Sequence, residues 1–244
     1  MSADVESLLR QARELAGEGR RDEALVLHLK YHQESRPVPT QAGARLSFAL
    51  TSWVALARDH PPALAALLEV REAAAERLRA GRSETVDRVS GASAAHEDFA
   101  EVAAISSRLG DDEYPVALFA ELAQGRPEVA EATAIAARRL LIQAGCFDLA
   151  HRYLADPEER VTRLAARLEQ RLTRGFGQFP ESQRERMRGD TVRRYLDDVR
   201  ELVTVYRAVG QPERAEAIAQ QAIDAVPWAH VREDIAHELA LTTN

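Results

Sequence analysis

Two histidines, His28 and His32, stand four residues apart in the stretch LHLKYH. That spacing puts both imidazoles on one face of a helix, where they could clamp a single metal ion. A metal site normally asks for a third ligand, and zinc hydrolases for the glutamate of H-E-x-x-H; HLKYH supplies neither. No metal and no cofactor are expected, with His28 partly buried and His32 at the surface. Cys146 and His151 pair a nucleophile type with a base type, but they fall at a turn, where a lone cysteine is usually a small buried hydrophobe. His96, Glu97 and Asp98 form a third cluster, of hydrolase-like residue types. The carboxylate pairs Asp111/Asp112 and Asp197/Asp198 are adjacent in sequence, diverge on a helix and cannot share a proton. GFGQFP has G-x-G spacing but no preceding strand and no third glycine, so it reads as a hinge whose Phe176 and Phe179 pack inward. His230, Asp234 and His237 line one face of the last helix, as a solvated cap would. No complete catalytic constellation is present, and an enzyme is not expected.

These residues must be positioned by helices. The chain of 244 residues is 45% hydrophobic and 29% charged, rich in Ala, Leu, Glu and Arg, with 5% aromatics. Those side chains lose least on entering a helix, and little remains for strands. The length allows a core without staples. A net charge of -7 argues against a large nucleic-acid footprint. With Cys146 as the one cysteine, no intrachain disulfide forms, which fits a reducing cytoplasm. The N-terminal stretch is acidic and amphipathic, unlike a signal peptide, and no run approaches a membrane span.

Apolar period and Gly/Pro punctuation predict about twelve helices, near 3–17, 21–35, 42–58, 62–80, 97–108, 114–124, 127–144, 147–155, 158–174, 191–208, 212–225 and 229–241. Irregular segments are expected near 81–95 and 175–190, within a single domain spanning 1–244. Gly19 precedes Ala24 by five, Gly145 precedes Ala150 by five, and Gly210 precedes Ala215 by five. Each glycine lies between two helices, where it can close the first in a left-handed conformation; each alanine is small enough to let the second lie close. One unit is used several times.

The segment VTVYRAVGQPERAEAIAQQAIDAVP resembles a tetratricopeptide repeat, with Tyr206, Gly210, Ala215, Ala222 and Pro227 at consistent spacings. GEGRRDEALVLHLKYHQES resembles the same repeat, and QAGCFDLAHRYLADP does so more loosely. After Gly110 the alanine is displaced to Ala117, and 42–80 lacks the glycine. RLSFALTSWVALARDHPPALAALLEVRE looks like a segment of bacterial proteins of tetratricopeptide type that carry no assigned activity. The resemblance covers about a third of the chain and implies antiparallel hairpins stacked as a right-handed α-solenoid, with ligands on the concave face. That register places Glu6, Leu9 and Arg13, then Arg139, then Asp197, Arg200 and Arg207 in the groove, with Arg45 joining by looser alignment.

Arginines in a groove suit acidic peptides, because the guanidinium fork pairs bidentately with carboxylates. The expectation is a cytoplasmic, non-catalytic scaffold or adaptor that binds a protein or peptide. The alternative is a helical-repeat enzyme or nucleic-acid-processing protein using a His/Arg groove.

Overall fold

The computed structural model describes residues 2–38, 41–81, 93–154, 156–177 and 179–241. Among them stand twelve helices and no β-strand. They are α1 (Ser2–Gly17), α2 (Arg21–Ser35), α3 (42–57), α4 (Pro61–Arg79), α5 (Ala94–Leu109), α6 (Glu113–Gly125), α7 (Pro127–Gln143), α8 (Phe147–Arg152), α9 (Pro157–Arg174), α10 (Glu181–Ala208), α11 (Pro212–Asp224) and α12 (Ala229–Leu241). No helix among the described residues is long and apolar enough to cross a membrane.

The helix ends follow local chemistry. Pro61, Pro157 and Pro212 open their helices, where a missing amide removes no helical bond. Asp156 caps α9 by accepting from the Glu158 and Glu159 amides, at 2.9 and 3.1 Å. Ser93 does the same for α5, accepting from the His96 amide at 3.1 Å.

One turn recurs. Gly19, Gly110, Gly145 and Gly210 have φ of 80°, 73°, 72° and 76°, the left-handed region that L side chains avoid. In each, the glycine amide bonds a carbonyl three residues back, and the next amide reaches five residues back. At Gly210 these bonds run to Arg207 and Tyr206, at 3.0 and 2.8 Å; at Gly19 to Ala16 and Leu15, at 3.1 and 2.9 Å. This is a Schellman closure. The residue after the glycine then accepts the amide of the alanine that begins the next helix: Ala24 to Arg20, Ala150 to Cys146 and Ala215 to Gln211. All three alanines are buried. After Gly110 the equivalent position is Pro115, which is buried, whereas Ala117 is exposed. The displaced alanine of the sequence reading is therefore a proline in place.

Contacts divide the chain into two compact units, Met1–Leu140 and Leu141–Asn244, with the boundary inside α7; the sequence alone suggests one domain. In the first unit α1 packs on α2, α3 on α4, α4 on α5 and α5 on α6. Ala24, Leu50, Trp53, Leu67 and Ile105 form part of its core. In the second, α10 packs on α9, α11 and α12, around Val161, Leu168, Val199, Leu202, Ile218 and Ile235.

Two departures from the expected elements matter. The segment 175–190 is not irregular throughout: Glu181–Asp190 is helical and lengthens α10 to 28 residues. Gly189 and the preceding Pro180 suggest a break, but ESQRERMR consists largely of good helix formers. Within α3, Arg45–Ala49 is a π-helical turn, and Arg45 and Ala49 are buried there. The segment expected to be irregular near 81–95 lies mostly outside the described residues.

The recurring turn predicts opposite outcomes for two glycines. Gly210→Ala destabilises by about 1–2 kcal/mol, through backbone strain alone, since an added Cβ there meets nothing within 4 Å. Gly189→Ala, in a helix interior with equally open surroundings, stabilises by about 0.5–1 kcal/mol. Urea unfolding of the two variants checks both signs.

Candidate functional site

α5 buries two carboxylates on one face, Asp98 and Glu101, 3% and 2% exposed. An unpaired buried charge is costly, so partners must converge on them. Arg77 from α4 grips Asp98 through Nε and Nη2, with Nη2 to Oδ1 at 2.8 Å. Arg36, at the end of α2, donates to Asp98 and reaches Glu101 at 3.4 Å. Arg45 from α3 lies 3.6 Å from Glu101 and 3.8 Å from Glu97, and donates to the Ser35 carbonyl at 3.2 Å. His32 Nε2 is 2.6 Å from Glu101 Oε1.

The two histidines share one pocket. His28 is 1% exposed and stacks on Trp53, with centroids 5.8 Å apart and planes 16° from parallel; His32 meets the same indole edge-on at 6.1 Å. Both line a cavity of about 20 Å³ with Arg45, Trp53 and Glu101. His32 is thus not a surface residue: the carboxylate of Glu101 and the Trp53 ring draw it inward. Among the described residues no three His, Cys, Asp or Glu side chains stand together as a metal site.

Burial works to raise the Glu101 pKa but is outweighed by the His32 hydrogen bond and the Arg36 and Arg45 charges, which hold it below its ordinary value. Glu101 is therefore an acceptor and His32 Nε2 the donor, a tautomer assigned from that bond. Burial, and then the charge of Arg13, push His28 down to about 4; it is neutral, and its Nε2 has no protein partner. A His–Glu pair can act as a base, but this cavity has room for about one water and no substrate.

The groove residues inferred from the repeat register fall in both units. In the first unit Arg13 is exposed and donates to the Phe48 carbonyl at 3.4 Å, Arg139 is exposed, and Arg45 is 4% exposed and spent in the ionic network. In the second unit Arg200 is half-buried, 2.5 Å from Glu238 and 3.8 Å from Asp197, and Arg207 is half-buried. Leu9 is half-buried; the side chain of Glu6 lies outside the described set. His151 packs edge-on against Tyr206 at 5.0 Å, while the Cys146 thiol points to the Ala144 carbonyl at 3.9 Å. His230, Asp234 and His237 are exposed on α12.

The second unit has open surface of ligand size. A groove of about 740 Å³ runs between α10 and α12, with Leu172, Val192, Trp228 and Val231 as apolar walls and Arg188 and Arg200 beside them. Between α9 and α10 lie two adjoining hollows of about 690 and 200 Å³.

No family model matches the chain, and no curated protein or solved structure is significantly similar to it. The site therefore has to be read from its own geometry.

Sequence reasoning singled out Asp98 but missed Glu101, Arg36 and Arg77, whose partners lie 21 to 69 residues away along the chain. A signal existed: Asp98 interrupts the apolar stripe Ala95, Phe99, Val102 and Ile105, which a solvated carboxylate would not do.

Two outcomes follow for stability. Glu101→Gln leaves buried guanidinium charge uncompensated and costs about 3–5 kcal/mol by urea unfolding. For His28, with a folded value of about 4 against 6.5, the unfolded chain binds more protons between those limits, so stability falls as pH drops below 6.5 and goes on falling to about 4. The accumulated loss is about 3 kcal/mol, and it vanishes in His28→Phe. An unchanged slope in that variant would assign the titration elsewhere. The depressed Glu101 adds stability that is complete above 4.5 and is lost as pH falls through its lower folded value.

Proposed function

We propose that this chain is a non-catalytic helical-repeat scaffold of tetratricopeptide type that binds a protein or peptide partner. The observation that carries the reading is the open α10–α12 groove of about 740 Å³, which combines apolar walls with half-exposed arginine. Peptides are held in that manner, by side-chain anchors in pockets and by charge pairing at the margin. The buried His32–Glu101 pair offers no comparable opening, facing a cavity of about 20 Å³, whereas His230 and Asp234 line the open groove beside the arginines. The recurring glycine turn, with a buried alanine five residues on, supports the repeat assignment, because it is the closure that helix-hairpin repeats reuse. Stacking of such hairpins into a solenoid is part of the proposal. Cytoplasmic residence belongs to it too, on the single cysteine.

Cross-linked affinity recovery from the source cells tests it. The wild-type chain is expected to retain a partner, and Arg188→Glu combined with Arg200→Glu to reduce recovery about tenfold, a loss of about 1.4 kcal/mol, without lowering the melting temperature by more than a few degrees. Recovery that no substitution in either cleft of the second unit alters would sink the reading.

A further inference from the structure

We propose that the cleft between α9 and α10 recognises a short acidic segment of another protein, bound in extended form. This inference rests on the scaffold reading and names the partner's chemistry. The two hollows along these helices share Arg171, Thr191 and Arg194, so they form one continuous cleft. Four guanidiniums line it: Arg167, Arg171 and Arg174 from α9, and Arg194 from α10. All four residues are exposed.

The cleft's own acids are already engaged. Asp198 pairs with Arg160 at 3.4 Å and Asp190 with Arg193 at 3.7 Å. Among the described residues no carboxylate lies within ion-pair distance of Arg167, Arg171, Arg174 or Arg194. Elsewhere on this unit some exposed arginines have partners, Arg163 with Glu159 at 2.8 Å and Arg214 with Glu158 at 2.6 Å, but what sets the cleft apart is that its four arginines converge on one hollow. The whole chain has 39 acidic against 32 basic residues, so acids are not scarce. Like charges at i and i+4, as in Arg167 and Arg171, repel. The dipole at the C-terminus of α9 accounts for Arg171 and Arg174, but not for Arg194 across the cleft. An external anion accounts for all four.

Spacing identifies that anion as a peptide. Arg167 and Arg171 are offset by about 6 Å along the helix axis, close to the roughly 6.6 Å between alternate residues of an extended strand. An acid-x-acid pattern would therefore present successive carboxylates to successive arginines, each pairing through a guanidinium fork. From Leu164 to Arg174 the cleft wall runs about 15 Å, room for four or five extended residues. Half-buried Leu164 and Met187 offer apolar surface beside the arginines, suited to the intervening side chains. Single-stranded nucleic acid has similar charge spacing but binds by stacking bases on open aromatic faces. Of the aromatics that line the cleft, Tyr195 is buried with its hydroxyl committed to the Ala222 carbonyl at 2.7 Å, and Phe176 is half-buried at one end.

Fluorescence anisotropy on the full chain decides this. The probe is a labelled hexapeptide of alternating Glu and Leu. Saturable binding that weakens with added salt is expected, with about tenfold loss in Arg171→Glu/Arg194→Glu. The milder Arg171→Gln/Arg194→Gln is expected to lose affinity too, with circular dichroism and melting temperature unchanged. The proposal is overturned by equal binding of the Gln/Leu hexapeptide, by undiminished binding in both double variants, or by displacement at lower concentration by an oligothymidylate. Displacement by inorganic phosphate at concentrations equal to the peptide's would also overturn it, since the cleft would then take free anions. If the acidic peptide fails while Arg188→Glu/Arg200→Glu still releases the cellular partner, the cleft assignment falls and the scaffold reading stands.

Discussion

Neutralising the two carboxylates that α5 places inside the first unit organises much around them. Asp98 and Glu101 would each be intolerable there alone. Their partners come from α2, α3 and α4, so the charge requirement ties four helices to one another where apolar packing would leave their rotation free. Apolar packing is non-directional, whereas a guanidinium fork accepts few orientations. The π-helical turn in α3 lies where Arg45 enters this network. The Trp53 ring lies beside it, in contact with two imidazoles.

This arrangement also keeps the imidazole–carboxylate pair of the first unit away from the surface. Imidazole, carboxylate and indole in one pocket would suggest catalysis if a substrate could reach them. Here they surround a space the size of about one water, and the exposed arginines of the second unit line grooves tens of times larger. Arginine stays protonated at every pH a folded protein meets, so those clefts keep their charge while the buried groups titrate.

Much of the architecture was legible in the sequence. Gly19, Gly145 and Gly210, each with an alanine five residues on, give a local signal, and the structure gives each pair the same dihedral sign and the same bonds. Apart from the start of α10, helix boundaries marked by Gly or Pro fell within a few residues. The N-terminal third of α10 was missed because Gly175, Gly177 and Pro180 drew attention from the helix formers after them. His32 was misplaced because its depth is set by Glu101, 69 residues away, and periodicity within one helix carries no such information. Arg45, similarly, was placed in a groove by register and is drawn inside by charge. The arginines of α9 recur at 160, 163, 167, 171 and 174, a stripe visible beforehand; that four cleft arginines lack a counter-charge was visible only in three dimensions.

The recurring turn is closed in each case by the same main-chain bonds, from the glycine and the residue after it to fixed carbonyls behind. The main-chain closure is common to turns whose side chains differ, and Arg20, Asp111, Cys146 and Gln211 occupy the same place in four of them. Such a joint is indifferent to composition and strict about length. One residue more or fewer would rotate the following helix by about 100° and carry its buried alanine away from the neighbouring helix. Substitution at the connection is therefore tolerated where insertion or deletion is not, and the spacing from glycine to alanine is the constraint the turn imposes.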